Sequence, residues 1–267
     1  MAAVIGRSPH KTRAAARALG ARVASTSVRR IPPETTLLLI AVRDEQIAAV
    51  AAEIAEFGAL PRGRIAAFHC SGIETSDALA ALSKAGLATF ALHPVQSFPT
   101  RRPLAEQLSL MGGVSYGYEG PQRRAPMARR IVKDLGGRML IIPKQKKILY
   151  HAACVFASNY PVVLLDIVED LARAVSPAIG LEAFRPLTES SIAHAMTLSP
   201  VGALTGPVAR GSRHSVERHR RALIRHSHTI DEAYRALGLA ALAMARRQRR
   251  ASAADLRQLR KVLRRRR

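Results

Sequence analysis

The chain has 267 residues, 48% of them hydrophobic, which is long enough for one large or two ordinary domains; with only 4% aromatics, aliphatic side chains and alanine must fill the core. Its two cysteines, Cys70 and Cys154, lie far apart with no CxxC pair, which argues against a disulfide framework or a zinc site and fits a reducing cytoplasm. No uninterrupted apolar run reaches the roughly 20 residues that span a bilayer, and the N-terminus lacks the apolar core of a secretory signal, so a cytoplasmic protein without a membrane span is expected.

Residues 1–145 alternate strand-like and helix-like segments. AAVIG reads as a strand and KTRAAARALG as a helix stopped at Gly20. RVAST is a short strand and IPPETT a breaker-rich loop. LLLIAV has the continuous apolar character of a strand covered on both faces. Asp44 is placed to cap the helix DEQIAAVAAEIAEFG, with Gly58 as its stop. RIAAFHC, TFALH, GVSYGYE and RMLIIP are further strands; TSDALAALSKAG and PMARRIVKDLGG are helices between them. Repeated strand–helix alternation predicts a mostly parallel sheet with helices on both faces. From residue 146 to 250 the pattern is helical. ILYHAACVFASNYPVVLLDIVEDLARAV is apolar almost all round, with Pro161 as an internal kink, so it is expected to be buried in a core or against a partner chain. LEAFRPLTESSIAHAMTL follows, then the break SPVGALTGPVARGS, then one long helix from His214 to Arg247.

Net charge is +23, and the segment from Arg246 onward carries eleven Arg or Lys against Asp255 alone. Residues 251–267 read as a basic tail, either a solvated or disordered extension or, through residues 246–267, in weak, non-specific contact with nucleic acid or an anionic membrane surface. The segment has no aromatic residue on which a base could stack.

In an open parallel sheet, ligands bind outside the C-terminal ends of the strands, and here those ends run into RSPHK, RDEQ, HCSG and HPVQSFP. In RSPHK, Arg7 is suited to stack on an adenine or grip a phosphate, Ser8 to donate to the same anion and Lys11 to add charge. The turn has no acid to bond a ribose 2′-hydroxyl, so in a dinucleotide fold it favours NADP over NAD. His69, Cys70 and Ser71 line a candidate pocket; His93 reads as a bend residue, with Gln96 and Ser97 beyond it able to bond a carbonyl or carboxylate. His151, Cys154 and Ser158 share a helix face, with Asn159 close by. A titratable histidine beside hydroxyl and amide groups suits proton delivery to a carbonyl or imine being reduced. Arg210, if buried, is suited to hold a carboxylate bidentately. The remaining histidines, His214, His219, His226 and His228, lack ligand spacing, and no metal site is expected.

TLLLIAVRDEQI, HCSG, LHPVQSF, YHAACVFASNY and LTGPVARG, in this order, resemble a family of bacterial Rossmann-like oxidoreductases with a C-terminal helical domain of unknown function. That family is related to pyrroline-5-carboxylate reductase, ketopantoate reductase and deazaflavin-dependent NADP reductases. The resemblance spans residues 1 to about 245. It implies an α/β, Rossmann-like, mostly parallel sheet followed by an all-α domain that usually dimerises, with NADP as cofactor and hydride transfer as chemistry. It implies a 2′-phosphate site at Arg7 and Ser8, a strand end facing the nicotinamide half at Ala41 and Val42, and a cleft faced by His151, Ser158, Asn159, Thr205 and Arg210. Ser71, His93, Gln96 and Ser97 complete the expected substrate side.

Two departures from the family pattern stand out. RGSRHSV carries Ser212 where the family has an acid and Ser215 where it has Thr; Ser keeps a capping role but not a charged one. The match also makes AAVIG the second strand of the fold, so the first strand and its G-x-G-x-x-G turn, which cradles the pyrophosphate, are expected to be missing. The resulting expectation is an NADP-dependent reductase of a small carbonyl or imine; the alternatives are a degenerate, non-catalytic dimeric binding or scaffold protein of the same fold, or nucleic-acid association through the tail.

Overall fold

Short apolar runs become strands and alanine-rich runs become helices through the first half of the chain. The computed structural model describes residues 1–56, 65–99 and 103–265, so Gly58, read as the stop of a helix, lies outside the described residues. Two compact units divide at Pro161 and Val162. The first contains β1 (Ala3–Ile5), α1 (Pro9–Ala18), β2 (Val23–Ser25), β3 (Leu37–Ile40), α2 (Ile47–Glu56), β4 (Ala66–His69), α3 (Ala80–Lys84), β5 (Ala88–Pro94), α4 (Leu104–Ser109), β6 (Ser115–Glu119), α5 (Ala125–Asp134), β7 (Arg138–Ile141) and the start of α6 (Lys147–Val175).

Five strands form a sheet in the order β3-β4-β5-β6-β7, parallel except where β6 runs antiparallel to β5. β1 and β2 form a separate parallel pair. β1 and β3 are each paired on one side only among the described residues. Leu37 and Leu39 of β3 are correspondingly exposed, although the apolar run LLLI reads as a strand covered on both faces.

β4 and β5 carry the core. Phe68 and Phe90 stack at 5.3 Å and join Tyr116, Tyr118 and the Ala128–Val132 side of α5 in one apolar cluster. A second cluster gathers Ile47, Ala51 and Ile54 of α2 with Leu79, Leu82 and Ile65. Helices on both sides of a buried parallel pair are the doubly wound arrangement that the alternation predicts. Asp44 does not cap α2; it opens a 3-10 turn, Asp44–Gln46, leading into the helix, and no side chain caps that turn.

The second unit is helical: the rest of α6, then α7 (Arg185–Leu198), α8 (Pro200–Ala203), α9 (Gly206–Ala209), α10 (Arg213–His226), α11 (His228–Gln248) and α12 (Ala253–Arg264). The stretch predicted as one helix from His214 to Arg247 is two. Ser227 has extended backbone and its Oγ accepts from Ile230 N at 3.4 Å, so it caps a new helix rather than continuing the old one. The predicted break SPVGALTGPVARGS contains two helical turns, α8 and α9, each with proline in its first turn.

The basic tail is not a solvated extension. Leu256, Leu259 and Leu263 fall on one face of α12 and, with Val262, are buried against Val216, Leu242 and Ala245. Gly238 of α11 allows this approach, since a Cβ there would lie 2.8 Å from Leu263 Cδ2. The last turn of α12 is held through its carbonyls. Arg220 forms a bidentate pair with Asp231, both bonds 2.9 Å, and donates to Val262 O and Arg265 O; Arg235 donates to Leu263 O.

α6 bears on the expectation of a helix buried in a core or against a partner chain. Over Lys144–Val175 the chain is helical, and by length and composition long and apolar enough to cross a membrane, with mean hydropathy 1.5 in its best window. Isolated His151, Ser158 and Asn159 interrupt the apolar run without lowering that average far. Nor is the helix buried within this chain: Leu149 is 67% and Phe156 68% exposed.

Candidate active site at the ends of β4 and β5

The loop leaving β4 is fixed by its own side chains. His69 is fully buried; its Nε2 faces Thr75 O at 3.1 Å and its Nδ1 accepts from Ser71 N at 3.2 Å. A carbonyl can only accept and an amide only donate, so the ring is the neutral Nε2–H tautomer. Burial lowers its pKa in the same direction. Ser71 Oγ in turn accepts from Ile73 N and Glu74 N at 3.2 and 2.9 Å. This turn presents Gly72, where a Cβ would overlap both His151 Cδ2 and His93 Nε2. The two imidazoles, 6.0 Å apart between ring centroids, therefore sit directly on the Gly72 backbone.

His93 comes from the end of β5 and pairs across the sheet with Gly117 of β6. Gly117 leaves room for Tyr150, whose hydroxyl a Cβ there would strike. Tyr150 Oη then reaches His93 Nδ1 at 2.8 Å. Burial, followed by the charges of His151 and Lys147, pushes the His93 pKa down to about 4, so its imidazole is neutral near pH 7. Burial raises the Tyr150 pKa, keeping it a phenol.

Lys147 opens α6 one turn before His151. It is 1% exposed and its Nζ has no hydrogen-bond partner among the described residues. Burial brings its pKa down to about 8, against the opposing influence of Glu119, Glu74 and Asp44. Glu119, the strongest of the three, is itself anchored, accepting from Ser76 N at 2.6 Å and Ser76 Oγ at 3.0 Å. An ammonium sealed without a partner is costly, and such groups cluster where charge does chemical work. Cys70, close enough to feel Lys147, has its thiol pushed up to about 11 by burial, so it is not a thiolate nucleophile at neutral pH.

Of the residues read from the sequence, Ser71, His93 and His151 meet here. Gln96 and Ser97 bond locally instead: Gln96 Nε2 donates to Leu110 O at 3.1 Å and its Oε1 accepts from Ser97 N at 2.8 Å. Ser158 and Asn159 lie two turns beyond His151, exposed, with Ser158 Oγ donating to Cys154 O and within 2.9 Å of Asn159 Oδ1. Thr205, which precedes α9, and Arg210, which ends it, are exposed rather than buried. Ala41 and Val42 are exposed just past β3. Ser8 caps α1, accepting from Lys11 N at 3.5 Å, while Arg7 and Lys11 stand exposed at that N-terminus. Exposed cations at the start of a ten-residue helix fit the phosphate at the adenosine end of NADP. The pyrophosphate-cradling G-x-G-x-x-G pattern does not occur in this sequence.

Lys147 and Tyr150 were not legible as functional. Lys147 sits in the run KQKK, which reads as a solvated helix start; the available signal was its i, i+4 spacing to His151.

Comparison with known proteins agrees with this architecture. A family profile described as a Rossmann-like domain matches residues 2–94, and one described as a domain of unknown function, DUF2520, matches residues 114–241. Curated proteins give no match. Among solved structures, protein TM1727 from Thermotoga maritima is 24% identical with a TM-score of 0.72, covering 92% of this chain and 91% of its own. A candidate NADP oxidoreductase from Bacteroides fragilis is 18% identical with a TM-score of 0.70, over 90% of this chain and 87% of its own. The imine reductase from Myxococcus stipitatus in complex with NADP+ is 16% identical with a TM-score of 0.53, over 97% of this chain and 83% of its own. At these identities the likeness is one of fold. The two profile matches follow the order of the fold, a Rossmann-like α/β part first and a largely helical part after it.

Proposed function

We propose that the chain is an NADP-dependent oxidoreductase that reduces a small carbonyl or imine compound, with the Gly72 surface as its reaction site. The observation that carries this reading is the convergence of His93 and His151 on Gly72, with Tyr150 bonded to His93, at the C-terminal ends of two central strands, where open α/β sheets bind ligands. Bound NADPH supplies the hydride. His151 delivers the proton to the atom that takes up negative charge, and the Tyr150–His93 pair fixes its neighbour in one orientation. The charge on Lys147 helps to hold His93 neutral, so that pair can relay a proton. Arg7 and Lys11 hold the 2′-phosphate. The enzyme works as a homodimer in the cytoplasm, with the apolar faces of α6 and α7 as the contact. Twelve large apolar side chains on these two helices are exposed among the described residues, an apolar surface of the kind that a standard interface of about 800 Å² per partner covers.

Titration with NADPH and NADH, followed by cofactor fluorescence, tests the reading. Saturable NADPH binding is expected, weakened by Arg7→Asp at least tenfold more than NADH binding. Equal loss of both would remove the 2′-phosphate assignment, and no saturation by either cofactor would leave a non-catalytic binding protein of the same fold.

A further inference from the structure

α12 combines two faces with opposite commitments. Its apolar face is consumed by the core through Leu256, Leu259, Val262 and Leu263. Its other face carries Arg257, Arg260, Lys261 and Arg264, spaced i, i+3, i+4 and i+7, all exposed, and none of them is in an ion pair among the described residues. Four like charges along about 10 Å of helix repel one another, and nothing on that face offsets the repulsion. α10, packed against α12, adds exposed Arg218, Arg221 and Arg225 at i, i+3 and i+7. From Arg213 onward the chain has seventeen Arg or Lys and four acids. Three of those acids are engaged: Glu217 with Arg213, Asp231 with Arg220, and Asp255 with Ser252.

We infer that the exposed faces of α12 and α10 form a docking surface for the phosphodiester backbone of a nucleic-acid duplex. The partner follows from charge and from what the surface lacks. Arginine predominates over lysine, as suits the bidentate grip of phosphate oxygens. No aromatic residue lies between Arg246 and Arg267, so stacking on single-stranded bases has no platform. A membrane-surface helix needs an apolar face free to enter the lipid, and that of α12 is buried in protein. Because Arg220 and Arg235 hold the last turn through its carbonyls, the cations form a fixed array rather than a floating tail. Binding is therefore sequence-independent and set by salt.

The test uses the full chain and a labelled 20-base-pair DNA duplex of arbitrary sequence, with fluorescence anisotropy read across about 50–200 mM salt. Log affinity is expected to fall with log salt with a slope of about −4 or steeper. The variant R257E/R260E/K261E/R264E should lose binding more than tenfold and flatten that slope by about 3 to 4, with circular dichroism confirming its fold. A control reversing the same number of charges elsewhere, at Arg129, Arg130, Lys133 and Arg138, should lose far less. Equal losses in the two variants would reduce the effect to net charge and overturn the proposal. So would a wild-type chain that does not bind at 50 mM salt, or that binds phosphatidylserine vesicles or polyglutamate more tightly than the duplex. Parallel titration of a duplex RNA distinguishes the two sources of the same backbone chemistry; preference for either supports the surface.

Discussion

Lys147 illustrates how a single residue sets the chemistry of its surroundings. Its ammonium titrates near 8 in the folded chain against 10.5 when solvated, because burial disfavours the charge. Between these values the unfolded chain binds more protons than the folded one, so stability rises with pH across that window, and the full penalty is present below pH 8. Lys147→Met should therefore stabilise the protein at pH 7 by on the order of 2 kcal/mol and flatten its stability profile between about pH 8 and 10.5. The same variant should raise the His93 pKa, since Lys147 is one of the charges holding it down. Chemical denaturation across pH and NMR titration of the histidines measure both effects. A destabilised variant with an unchanged His93 titration would remove Lys147 from the electrostatic role given to it here.

At the scale of elements, the sequence was most legible where periodicity and caps agree. The strands β1 to β7 and helices α1, α2, α5 and α6 stand close to where their apolar runs place them. It was least legible where one polar residue decides between two structures: Ser227 ends one helix and starts another within a continuous amphipathic pattern. The candidate site was half legible for a similar reason. His93 and His151 announce themselves by residue type, but their meeting depends on Gly72 and Gly117, which matter by having no side chain. α12 was misread because its four cations outnumber its three leucines, although the leucines decide its position. Arg220→Ala should destabilise the protein by about 3 to 5 kcal/mol, since it strands a buried Asp231 and frees the last carbonyls of α12. Thermal unfolding measures this, and a change under about 0.5 kcal/mol would mean that α12 is held by its apolar face alone.

At the scale of the whole molecule, the exposed apolar length of α6 and α7 needs a covering. Hydropathy cannot distinguish a membrane span from a helix awaiting a second copy, but chemistry can: Lys147, Tyr150 and His151 at the start of α6 are engaged with the sheet of the first unit, and Asp166, Glu169 and Asp170 interrupt its second half. Light scattering after size exclusion should give a dimer without detergent, and Leu149→Glu with Phe156→Glu should give monomers or aggregates. A monomeric wild type at micromolar concentration would overturn the homodimer reading.

His69 has a use beyond holding a loop. Its Nε2–H is sealed from solvent and bonded to a carbonyl, so that proton should exchange slowly and give a resolved downfield imidazole resonance in water. Few histidine side chains supply such a beacon. Because the ring touches no proposed ligand, its resonance reports whether the β4 loop is assembled in any variant, independently of whether that variant turns over.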